Sequence, residues 1–86
     1  MTTDAEIEDT LLRLAGAQGV AKSICPSDVA RTIEPRDGAW QPLLSRVRGI
    51  AIRLAGAGQI DILRKGKPVP GDDVRGVIRL RLKGSR

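Results

Sequence analysis

Histidine, tyrosine and phenylalanine are absent from the 86 residues, and cysteine, tryptophan and methionine occur once each. Without histidine, the usual acid–base group near neutral pH is missing. A single cysteine closes no disulfide within the chain, and with no histidine beside it assembles no zinc site. Trp40 as sole aromatic provides no run of stacking platforms for single-stranded nucleic acid. No apolar run approaches the ~20 residues of a membrane span. The opening "MTTDAEIEDT" is acidic, unlike the basic-then-apolar pattern of a signal peptide. The expectation is one soluble, cytoplasmic domain over residues 1–86, its lone thiol suited to a reducing compartment. No enzymatic centre, cofactor or small-molecule substrate is indicated.

What is present is positive charge, unevenly placed. Residues 1–35 hold three basic and six acidic side chains, a net charge of −3; residues 36–86 hold twelve and four, a net +8. Such a distribution points to a polyanion-facing side, although net charge speaks to solubility and non-specific binding rather than to fold.

The periodicity predicts three helices and two strands. Thr3 and Glu6 have the spacing of a capping box. Asp4, Glu6, Glu8 and Asp9 suit the positive end of a helix dipole, and Ile7, Leu11 and Leu14 form its apolar stripe. Gly16 or Gly19 ends this helix. Ser23 and Ile24 read as a short extended piece. Pro26 fits the first turn of a short helix to about Ile33, with Val29, Ala30 and Ile33 inward. Glu34 to Gly38 is a turn. The longest helix spans about Gly38 to Ala55, with Trp40, Leu43, Leu44, Val47, Ile50, Ala51 and Leu54 on one side. "QIDIL" and "VIRLRLK" alternate as strands with one face buried. Between them "RKGKPVPGDDVRG" reads as a long hairpin loop.

Three helices of this length cannot bury their stripes alone, so the strands must cover them. The order is that of an α+β winged helix-turn-helix: a helix-turn-helix at about 26–55, then a two-stranded antiparallel hairpin with its wing at about 64–76. The motifs "ICPSDVAR", W-x-x-L-x-x-x-V-R (Trp40 to Arg48), L-x-x-x-G-x-I-x-I (Leu54 to Ile62) and G-x-I-R-L (Gly76 to Leu80) are similar to those of a family of small bacterial domains of unknown function predicted to be winged helices. The resemblance covers about residues 5–83. Its motifs are core and turn positions, so it implies a fold and carries over no catalytic residue.

The chemistry of the remaining residues favours double-stranded DNA as partner. Gln41, Ser45, Arg46, Arg48 and Arg53 fall on the outer face or flanks of the long helix, types that reach base edges or phosphates. Small Ser45 and Gly49 permit close approach. Arg64, Lys65 and Lys67 lie in the wing, and Arg79 and Arg81 on the wet face of the last strand. The expectation is that this wet face extends a positive field to phosphates, which position a protein without conferring sequence preference. Cys25 reads as a small structural residue, Trp40 as core, and Asp72 with Asp73 as a solvated turn rather than a metal site. The alternative is a protein-interaction or homodimerisation module. Asp61 and the Asp72–Asp73 pair could neutralise the wing internally, and Ile52 lies on the outer helix face.

Overall fold

The computed structural model describes residues 2–19, 22–36, 38–69 and 76–83. Helix α1 (Asp4–Gln18) starts at the predicted capping box: Glu6 N–H donates to Thr3 Oγ1 at 3.2 Å and Thr3 N–H to Glu6 Oε1 at 3.1 Å. It ends at Gly19, whose positive φ of 78° suits a residue without Cβ. Ile24 then forms a bridge to the last strand, donating to Leu80 O at 2.8 Å and accepting from Leu80 N–H at 2.7 Å. Helix α2 (Pro26–Ile33) follows, with Pro26 in its first turn, where the missing N–H costs nothing.

The long helix is shorter than its apolar stripe predicts. Residues 38–40 are a turn, Gln41–Leu43 a 3-10 turn, and helix α3 proper runs Leu44–Gly56. Pro42 explains the delay. It has no N–H to donate and disfavours helical angles in the residue before it, so the chain enters through the tighter turn, with Leu43 N–H bonding Trp40 O at 3.0 Å. The helix ends in a Schellman motif: Gly58 (φ 80°) donates to Ala55 O and Gln59 to Leu54 O.

The sheet has three strands where two were expected. Strand β1 (Ile60–Arg64) is central, with β2 (Lys67–Pro68) and β3 (Arg79–Leu82) antiparallel on either side. The long loop predicted from 64 to 76 instead begins with a tight hairpin. Arg64 pairs with Lys67 across Lys65 and Gly66, both at positive φ (54° and 81°), the primed two-residue turn whose twist matches a hairpin. Residues 70–75 of the predicted wing, Asp72, Asp73 and Arg75 among them, lie outside the described residues, as does Asp37.

The core joins α1 (Ile7, Leu11, Ala15), α2 (Val29, Ala30), α3 (Val47, Ile50, Ala51, Leu54) and the sheet (Ile60, Ile62, Leu80), with Ile24 and Ile78. Burying each large aliphatic side chain stabilises by about 1.5–3 kcal/mol. Trp40, Leu43 and Leu44 pack on its edge, half-buried. β1 breaks strict alternation: Leu63, on the opposite side of the strand from Ile62, is buried as well.

Candidate nucleic-acid interface

Three arginines of the predicted interface are turned onto acids of α1 or the sheet. Arg46 donates to Asp4 Oδ1 at 2.7 Å and Arg53 to Glu8 Oε1 at 2.6 Å. Positions 4 and 8 of α1 thus meet 46 and 53 of α3, so the two helices run in the same direction and their facing flanks are zipped by charge. Arg81 reaches Asp61 Oδ2 at 3.4 Å; the two are direct cross-strand partners. Opposite charges at such positions attract across a ladder.

Two more arginines are spent on neutral acceptors. Arg48 donates to Gly76 O at 2.8 Å, tying α3 to the segment that leads into β3. Arg79 makes three contacts: Ser23 Oγ at 2.8 Å, Ser23 O at 2.8 Å and Cys25 Sγ at 3.2 Å. Two of the three cations on the wet face of "IRLRLK" thus have partners within the chain, while Lys83 is exposed. Arg79 staples β3 to the run before α2, and Arg81 is held by an acid on the neighbouring strand. Asp61, weighed as a neutraliser of the wing, pairs with Arg81 of β3 instead.

These staples also fix which elements meet. Arg79 is in register with Leu63, so the end of the sheet that carries Arg64 lies beside Cys25 and the start of α2. Arg48 and Gly76 bring the first half of α3 to the same end. Gln41 and Ser45 are exposed there on the entry to α3.

The hairpin differs from everything above. Lys65 and Lys67 are exposed, and neither side chain has a hydrogen bond or ion pair to another described residue. Arg64 is half-buried beside them, and with Pro68 and Val69 the three basic residues line a shallow open cleft. The local structure explains the exposure: Lys65 is in a two-residue loop with no room to fold back onto the sheet, and Lys67 is on the edge strand β2.

Several features were not read from the sequence. Arg31 stacks over the Trp40 ring at 4.5 Å from its centroid, a cation–π contact between α2 and the approach to α3. Arg36 closes a bidentate pair with Glu34 at 2.8 and 2.7 Å, and this guanidinium lowers the Glu34 carboxyl to about 2. Val77 is 82% exposed beside an apolar groove lined by Cys25, Pro26, Leu44 and Ile78. Its alternation with Ile78 was the available signal.

Among the described residues no three His, Cys, Asp or Glu side chains gather as a metal site, and no helix is long and apolar enough to cross a membrane. Residues 4–83 match the family described as "Protein of unknown function (DUF3253)", and the chain belongs to it. No curated protein matches the chain at significance.

Proposed function

We propose that the domain is a winged helix that binds double-stranded DNA weakly and with little sequence preference, through the Arg64–Lys67 hairpin and the entry to α3. The helix-turn-helix is α2 with α3; the wing is the segment from β1 to β3. Lys65 and Lys67 supply phosphate contacts, Arg64 supports them, and Gln41 and Ser45 face the duplex from α3. The single observation that carries this reading is the hairpin's lysine pair, exposed and unmatched by any carboxylate among the described residues. Phosphate contacts of this kind dominate affinity and are sequence-independent.

Titration of a labelled mixed-sequence duplex at two salt concentrations tests it. With about three phosphates engaged, the log–log slope of affinity against salt is near −3, and Lys65→Ala with Lys67→Ala shallows it by about 2. Absence of binding at low salt, or a double variant that binds as well as the parent, overturns the reading.

Val77 and Ile52, the two large apolar side chains exposed among the described residues, favour a second reading. On it the domain is a protein-interaction or homodimerisation module whose contact centres on Val77 and the adjoining groove. Light scattering across a concentration series separates the two: a dimer that Val77→Asp dissociates supports the second, and a monomer throughout counts against self-association.

A further inference from the structure

We propose that Arg46 and Arg53 form a latent phosphate-binding row on α3, which α1 keeps occupied with its own carboxylates. The inference rests on the duplex-binding reading and adds its regulation: Asp4 and Glu8 stand where phosphates would, and hold affinity down.

Both pairs are short, 2.7 and 2.6 Å, and both link residues far apart in the chain. Both are also open to solvent. The Asp4 side chain is 70% exposed and that of Arg46 42%; for Arg53 and Glu8 the figures are 60% and 32%. An incoming anion reaches either guanidinium without unpacking the core, which lies beneath Val47, Ile50 and Leu54. Exposed pairs of this kind hold weakly and are screened by salt. A duplex backbone is a denser array of negative charge than two carboxylates, and guanidinium groups bond phosphate bidentately. The row is pre-spaced: seven residues of helix separate the two arginines by about 10 Å.

The acids have a local reason to be where they are, since Asp4 lies in the first turn of α1, where the helix dipole favours it. That reason does not extend to their partners. α3 presents its arginines on the flank that meets α1, beside the outward positions Ser45, Gly49 and Ile52, where a long side chain lays its stem along the helix and keeps its charged head in water.

The test is a double-variant cycle read by duplex titration, with circular dichroism and melting confirming the fold. Asp4→Asn with Glu8→Gln keeps side-chain shape and removes the competitors. Duplex affinity then rises by roughly five- to tenfold at low salt, and the salt slope steepens by about 1.8, two further phosphates at about 0.9 each. Adding Arg46→Gln and Arg53→Gln to that background abolishes the gain. In the parent background the same two arginine changes alter affinity less than about twofold.

An unchanged slope in the acid variant overturns the inference while leaving the hairpin reading intact. So does a loss from the arginine changes in the parent as large as that from removing the hairpin lysines, because the row would then be already in use. If the acid variant fails to fold, Glu8→Gln alone is read in its place: a salt slope steeper by about 0.9 supports the row, and an unchanged slope overturns it. If the parent does not bind and the acid variant does, the hairpin reading fails and the latent row stands; if neither binds, both fail.

Discussion

The α1–α3 seam and the β1–β2 hairpin carry the same kind of charge and have opposite fates. In the seam each arginine finds a carboxylate: Arg46 has Asp4 and Arg53 has Glu8. At the hairpin, Lys65 and Lys67 find none among the described residues. The difference lies in the backbone. α1 brings its acidic first turns alongside a helix that runs with it, whereas Lys65 sits in a two-residue turn and Lys67 on an edge strand, with no described carboxylate beside them. Net charge therefore measures cations, and the fold decides how many of them remain for a ligand.

The sharpest way to break the contrast is to give the hairpin the charge of the seam's other side. Lys65→Glu with Lys67→Glu lowers duplex affinity by about 100-fold, about 2.8 kcal/mol, and leaves the melting temperature unchanged, since neither side chain contacts the core. A parallel loss of stability would show that the lysines are structural. Next in size is the turn itself. Gly66→Ala places a Cβ at φ 81° and costs roughly 1–2 kcal/mol, a fall of about 4–16 °C in Tm for a domain of this size. Duplex affinity falls with it, because the lysines lose their fixed platform. Thermal melting and the same titration read both effects; a stable variant with full affinity would mean that the turn does not organise the site.

How much of this was legible depended on the distance along the chain over which the signal acts. The stripe of Ile7 and Leu11, the capping box of Thr3 with Glu6, and the alternation of Ile78 and Leu80 are local patterns, and the structure buries or bonds them as read. The hairpin was hidden because Lys65–Gly66 was absorbed into a stretch rich in glycine, proline and charge. Its only mark was a glycine following a non-β-branched residue between two short extended pieces. The pairing of Arg46 with Asp4 and of Arg53 with Glu8 spans 42 and 45 residues, and helix periodicity says nothing about which flank of one helix meets which flank of another. Asp61 with Arg81 lies between these cases. Once β1 and β3 are aligned antiparallel the two are opposite each other, but the alignment depends on knowing where the strands end.

The seam also predicts a modest stability effect of its own. Arg46→Gln with Arg53→Gln lowers stability by no more than about 1 kcal/mol per pair, because exposed ion pairs in water are mostly screened. The loss shrinks further as salt is raised toward 1 M, where the Debye length falls to about 3 Å. Denaturant melts at low and high salt measure it. A loss that persists at high salt would show that the arginine stems, not their charges, hold α1 against α3.

The smallest effect concerns a third pair, Arg36 with Glu34, which resembles the seam in joining guanidinium to carboxylate but does so within a single turn. The bond to Arg36 depresses the Glu34 carboxyl from 4.5 to about 2 in the folded protein. A depressed carboxyl pKa stabilises the folded state fully above the unfolded value and loses that contribution as pH falls through the folded one. The window is therefore pH 4.5 down to about 2. Glu34→Gln removes the ionisable group, so parent and variant differ most above about pH 5.5, with the parent the more stable, and converge near pH 2. Because Arg36 is open to solvent, which screens the pair, the difference is small throughout. It separates a turn held by charge from one held by backbone geometry, since a gap that persists unchanged to pH 2 would assign the ordering of residues 34–36 to the chain's own conformation.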